Sequence, residues 1–243
     1  MNYHMLSQHR NTQLANTTQL WYGCDSEEAF GTHLSDPTSR AQLVATGWIE
    51  TEITYKFNKQ GFRSIEFDTN IFAGMALGCS FTQGVGVLQE QAWPSIVSKK
   101  IQYPIWNLGI GGGSMDTVFR LLDYWLPILK PKFVLVACPP KYRIEICNST
   151  GIFKNYLPAH IPRNEQSALY KEWIIHDANS DLNFKKNLLA ITSLCNQHSI
   201  PLHELSVDKD FILDHKARDL MHPGAQSHCD FADKMIQKLE KIT

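Results

Sequence analysis

From residue 71 onward, short apolar runs alternate along the chain with segments whose apolar positions recur every three or four residues. The run IFAGMALG is continuous rather than alternating, the pattern of a strand covered on both faces, and it predicts a strand over 71–77. A helix is expected to enter at Trp93 and Pro94, because proline is tolerated in a first helical turn. The next strand, over 101–108, is pushed toward a sheet edge by Pro104, which has no N–H to give to a ladder. Met115, Val118, Phe119, Leu122, Leu126 and Leu129 place a helix over 115–129, and Lys130-Pro131 stops it. FVLVAC, at 133–138, reads as a second buried strand. Phe184, Leu188, Ile191 and Cys195 stripe a further helix, 200–205 is the next strand, and Phe231, Met235, Ile236 and Leu239 stripe the last helix. Upstream, polar and turn-forming residues dominate to about Arg40, and 47–63 alternates with period two around a turn at 58–61. Residues 1–69 therefore read as a small β-rich N-terminal appendage and 70–243 as an α/β domain. Strands alternating with helices imply a mostly parallel sheet with right-handed crossovers, and chemistry in such sheets gathers at the carboxyl ends of the strands.

Composition narrows the functional classes. With 43% hydrophobic and 19% charged residues in 243, disordered, collagen-like and coiled-coil readings are excluded. Lys plus Arg number 23 against 24 Asp plus Glu, a net charge of -1, so no global positive field exists to hold a phosphate backbone and nucleic acid is not an expected partner. No apolar run approaches the roughly 18 residues of a membrane span. The first twenty residues carry no basic stretch followed by an apolar one, so a cytoplasmic location is expected. The six cysteines are scattered without a C-x-x-C pair, which predicts free thiols, mostly buried, rather than a disulfide framework or zinc ribbon.

Three segments carry candidate chemistry. Gly78-Cys79-Ser80-Phe81-Thr82 follows the first buried strand, where a small polar residue beside a glycine-permitted turn is placed for a nucleophile; the alternative is a serine that only caps the next helix. Thr82 stands where the α/β-hydrolase elbow has its second glycine, which disfavours that fold. Asp219 precedes His222 by three residues, a spacing that lets the carboxylate hold one imidazole nitrogen while the other faces a nucleophile; alternatively, Asp219 only satisfies local backbone donors. The turn from Asn107 to Ser114 is rich in glycines that free backbone N–H groups for an anion, yet it lacks the register of a dinucleotide or NTP site. His228 lacks a third ligand of metal-site spacing, Cys79 is expected to pack beneath its turn, and His198, His203 and His215 read as surface or loop histidines. Trp125 and Phe119 sit at core spacing, and 171–181 is a candidate roof.

Together these blocks resemble the SGNH or GDSL hydrolases, in the branch that reads G-C-S-F-T: GCSFTQGVGV is similar to the nucleophile block, NLGIGGGSMD to the second and DLMHPGAQSH to the last. The resemblance implies a flavodoxin-like three-layer α/β sandwich without metal or organic cofactor. Ser80 would be the nucleophile, His222 the base and then the acid, and Asp219 its orienter. The N–H groups of Ser80 and Gly112 would stabilise the oxyanion. The family's third block offers an Asn after the third strand, whereas this chain reads VLVACPPKYRIE, so either Arg143, Lys141 or Asn148 replaces it or oxyanion stabilisation is weaker than is usual in the family. Arg143 is the first choice, the alternative being that it pairs with Glu145. The implied substrate is a small-molecule or carbohydrate ester, O-acetyl groups among them. Two rivals use the same fold: an acyltransferase with the same triad, and a catalytically degenerate binding or structural protein.

Overall fold

The computed structural model describes residues 6–158 and 168–240. In the N-terminal part, strand β1 (Thr18–Gln19) pairs antiparallel with β2 (Tyr55–Lys56), flanking helices α1 (Glu27–Ser35) and α2 (Pro37–Ala45). The strand content expected there is thus confined to one short pair. The turn at 58–61 forms, Gly61 N–H donating to Asn58 O at 2.9 Å.

The remainder runs β3 (Gly74–Leu77), α3 (Ser80–Gln83), α4 (Trp93–Ile101), β4 (Ile105–Asn107), α5 (Met115–Leu129), β5 (Val134–Cys138), β6 (Ile144–Cys147), β7 (Phe153–Tyr156), α6 (Ala168–Ile175), α7 (Asp177–Gln197), β8 (Leu202–Ser206), α8 (Val207–Asp210) and α9 (Ala225–Glu240). The central sheet is wholly parallel in the order β4-β3-β5-β8, with β4 on the edge that Pro104 predicts. Because successive side chains point to opposite faces, Met75, Leu77, Val134 and Val136 pack with Leu122 and Leu126 of α5 and Ile191 and Cys195 of α7. Ala76, Leu135 and Ala137 pack on the other face with Val97 of α4 and Phe231 and Met235 of α9. This is a three-layer α/β sandwich of flavodoxin-like order, its inner strands apolar because both faces are covered. The crossovers from β3 to β4 and from β4 to β5 run in opposite directions, which puts the topological switch point between β3 and β5, where the chain is free to open a crevice.

One hairpin was not apparent from periodicity, and one histidine in an expected strand is placed differently from its expected surface position. The β6–β7 hairpin is closed by Asn148, whose Oδ1 accepts the N–H groups of Thr150 (3.0 Å) and Ile152 (2.8 Å). His203, expected at the surface, lies in β8 and is buried because alternate residues of that strand face the interior. Of the cysteines, Cys79, Cys138 and Cys195 are buried, Cys24 and Cys147 exposed and Cys229 half-buried. No helix among the described residues is long and apolar enough to cross a membrane.

Candidate active site

Ser80 opens α3 at the carboxyl end of β3. The turn before it depends on Gly78, which has φ +154°; a Cβ there would collide with Thr82 Oγ1 and lie 2.7 Å from Ala137 O on β5. The short helix ends at Gly84, whose carbonyl accepts from the buried Arg63 guanidinium, and Arg63 Nη2 also reaches Val87 O at 2.9 Å. Ser80 itself is 5% exposed. The glycine-rich turn is fastened to the same helix. Asn107 donates through Nδ2 to Thr82 O at 2.8 Å, while its Oδ1 accepts the N–H of Gly109 at 2.9 Å. Gly113 N–H closes onto Ile110 O at 2.8 Å, a β-turn whose third position, Gly112, has φ +75°.

Asp219 and His222 lie on the loop entering α9. The ring Nδ1–H of His222 donates to Asp219 Oδ2, and Asp219 Oδ1 accepts the backbone N–H groups of Met221 (3.0 Å) and His222 (2.9 Å). The local alternative, that Asp219 serves only backbone donors, is therefore half of what it does. Burial pushes the Asp219 carboxyl up, but the hydrogen bond and charge of His222 and the two backbone donors outweigh this and hold it below the ordinary carboxylate value. The other face of the imidazole meets Phe81 edge-on at 5.6 Å, so the residue after the candidate nucleophile also sets the histidine ring. Leu220 adopts φ +54°, a left-handed conformation unusual for a leucine and held here by the surrounding bonds. Arg218 pins the loop from the N-terminal side. It makes a two-pronged pair with the buried Asp25, Nε to Oδ1 at 2.8 Å and Nη2 to Oδ2 at 2.7 Å, and its N–H reaches Gly86 O at 3.0 Å.

Ser80, Gly112, Arg143 and His222 all line one cavity of about 390 Å³. Arg143 is not paired with Glu145, which is taken up by Arg120 (Nε to Oε2 at 2.6 Å); instead Arg143 Nη1 donates to Gly113 O at 3.3 Å. Of the other replacements for the missing Asn, Lys141 bonds Asp181 Oδ1 on α7 at 2.7 Å, and Asn148 lies in the hairpin turn. Neither lines this cavity. Of the 171–181 segment, Trp173 stacks on Tyr170 of α6, whose hydroxyl donates to Tyr142 O at 2.8 Å beside the cavity. His228 is fully buried, its Nδ1 accepting the N–H of Trp93 at 3.2 Å.

Sequence reasoning did not point to Arg10, Tyr22 and Cys24, which reach the cavity from the N-terminal segment, nor to Leu157 and Pro158 after the hairpin. Nothing in their spacing relates them to Ser80. Cys24 is kept as a thiol, because burial and the negative charge of Asp219 push its pKa up. Arg10 Nη1 donates to Gly111 O at 3.2 Å. Chemically, the cavity offers a hydroxyl at a strand end, an imidazole whose remaining nitrogen is free to take a proton, and a glycine turn with two guanidinium groups beside it.

No protein-family model matches the chain, and no curated protein matches it. Among solved structures it is similar to a psychrotrophic esterase from Pseudoalteromonas sp. (16% identity, 70% of this chain and 98% of that one, TM-score 0.39). It is also similar to an acetyl xylan esterase from the rumen bacterium Butyrivibrio proteoclasticus (15%, 70% and 64%, 0.38). A third similar structure is assigned to the lipolytic G-D-S-L family, from Desulfitobacterium hafniense (15%, 67% and 97%, 0.35).

Proposed function

We propose that this protein is an SGNH-type serine esterase. The observation that carries the reading is the Asp219-to-Nδ1 hydrogen bond on a histidine that shares one cavity with Ser80. With Nδ1 committed to the carboxylate, Nε2 is the nitrogen left to act. Ser80 Oγ attacks the ester carbonyl as His222 Nε2 takes its proton, and the tetrahedral intermediate expels the alkoxide, which leaves with that proton as an alcohol. Water then attacks the acyl-serine, His222 takes a proton from it and returns it to Ser80 Oγ, and a carboxylic acid departs. The Ser80 N–H has no acceptor within α3 because it opens the helix, and with the Gly112 N–H and the Arg143 guanidinium it forms the oxyanion site. Arg143 takes the role because a guanidinium donates without losing its charge and because this one lines the cavity. No step calls for a metal or organic cofactor.

A fluorophosphonate probe tests the reading. It should label Ser80, and Ser80→Ala should lose both labelling and turnover of short acyl esters while its melting temperature stays nearly unchanged. Full labelling of the variant would refute the assignment. An acyl-enzyme that accumulates in water and discharges onto added sugar hydroxyls would identify the acyltransferase rival, and a folded protein that neither labels nor turns over would identify the degenerate one.

A further inference from the structure

We infer that the ester taken at Ser80 carries a carboxylate, held by the guanidinium of Arg10. The inference rests on the serine-esterase reading and adds the substrate's charge to it. Among the described residues, two guanidinium groups line the Ser80 cavity and no Asp or Glu does, in a chain whose net charge is only -1. Their hydrogen-bond partners are backbone carbonyls, Gly111 O for Arg10 and Gly113 O for Arg143, and the Arg10 guanidinium also lies over the Tyr22 ring at 5.9 Å. Among the described residues neither makes an ion pair. Arg120 with Glu145 and Arg218 with Asp25 are compensated by carboxylates at close range, whereas the buried Arg63 is taken up by the carbonyls of Gly84, Thr54 and Val87, which leave little of its fork open. An arginine presents five N–H donors in a planar fork, so one carbonyl leaves most of that fork open to the cavity.

Two fixed positive charges serve a reaction with two negative ones. One negative charge develops on the carbonyl oxygen during attack and falls to Arg143, which follows β5 and the switch point. The other is permanent and falls to Arg10, which is exposed and reaches the glycine turn at Gly111 rather than Gly113, a Gly111 Cβ position lying 3.6 Å from its Nη1. A carboxylate suits it because two coplanar oxygens match the fork. Val85, Leu157, Pro158 and Met221 supply apolar wall that accommodates a short carbon chain between ester and carboxylate.

The test compares charged and capped esters, with spontaneous hydrolysis subtracted. Para-nitrophenyl adipate half-ester against its methyl ester places the charge on the acyl side, and para-acetoxybenzoate against its methyl ester places it on the alcohol side. In one pair the carboxylate member should have a kcat/KM about tenfold or more above its capped partner, the size expected of one charge-assisted contact, and the better pair identifies the side. The advantage should shrink as ionic strength rises. Arg10→Gln should bring the ratio toward one, and Arg10→Lys should retain part of it. Ratios near one in both wild-type pairs would overturn the inference, as would an equal loss for both members in Arg10→Gln, which would make Arg10 a clamp on the Gly111 carbonyl. Fluorophosphonate labelling of the same preparation separates the two failures. Labelling without a charge preference defeats this inference alone, whereas absence of labelling defeats the esterase reading and this inference with it.

Discussion

His222 is held from three directions, and each restraint answers a different requirement. Asp219 fixes the tautomer, Phe81 fixes the ring plane, and Arg218 with Asp25 fixes the loop. Asp219 has a folded-state pKa below its unfolded value. Its contribution to stability is therefore present above the unfolded value of about 3.9 and is lost as pH falls through the lower folded one. Asp219 therefore remains a carboxylate able to hold His222 well into the acid range, and loss of that hold should appear only as pH falls below the ordinary carboxylate value. Asp219→Asn keeps the base and loses its orienter, and the loss in kcat should be smaller than in His222→Ala by about ten- to a hundredfold. Equal and total loss in folded protein would contradict these roles. On the proposed mechanism Arg143 donates to the oxyanion, so Arg143→Ala should lower kcat by about a hundred- to a thousandfold with little change in KM or melting temperature; unchanged kcat would take Arg143 out of the oxyanion site. At this scale Ser80, Asp219 and His222 were visible in the sequence because each sits in a short motif with its own spacing. Arg10 was not, since it and Gly111 are a hundred residues apart and only the tertiary fold brings them together.

Among the elements, β3 and β5 were visible because burial on both faces leaves a continuous apolar run, β4 and β8 as interrupted apolar segments, and α5 because nine of its fifteen residues are buried in a regular stripe. Helices α1 and α2 were not, since Leu43 is their one fully buried residue and a helix without a buried stripe leaves no periodicity to read. The hairpin β6–β7 is half-exposed on both faces, with the same result. The element on which the chemistry depends most is the single turn α3, too short to hold itself together. Its geometry comes from Gly78, Asn107 and Arg63. Gly78→Ala should therefore act on the whole turn: its Cβ meets Thr82 and the backbone of β5, at a φ that side chains rarely adopt. The expected cost is about 1–3 kcal/mol of unfolding free energy, together with a loss of fluorophosphonate labelling far larger than that cost would explain. A variant of wild-type stability and labelling rate would show that the turn tolerates a Cβ.

The N-terminal segment is built into the rest of the molecule. Tyr22, Trp48, Tyr55 and Phe57 share a core with Val85, Val87 and Ala217, Trp48 Nε1 donates to Lys216 O at 2.9 Å, and Asp25 is the partner of Arg218. Its alternating stretch 47–63 signalled strand because the buried Ile53, Tyr55 and Phe57 alternate with the exposed Thr54 and Lys56, although only Tyr55–Lys56 finds a partner strand. Three buried histidines with lowered pKa tie the stability of this assembly to pH; His203 of β8 is lowered by burial and by Lys238, and the two largest shifts are those of His9 and His228. His9, bonded to Gln60 O at 3.0 Å, is lowered to about 4 by burial, with Arg120 adding to the effect against that bond. His228, beneath the candidate site, is lowered to about 3 by burial and by the charges of His222 and Arg63. Both folded values lie below the unfolded value of about 6.5, so between them the unfolded chain binds protons that the folded one does not. Stability is accordingly complete above about pH 6.5 and falls as pH drops toward 4 and then 3, by about 1.4 kcal/mol per pH unit for each histidine. His228→Gln retains an acceptor for the Trp93 N–H and removes one of these titrations. Denaturant unfolding at a series of pH values between 4 and 6.5 should show a shallower pH slope in the variant by about one proton, whatever its stability near neutrality. Parallel slopes in variant and wild type would mean that His228 takes up its proton in the folded state.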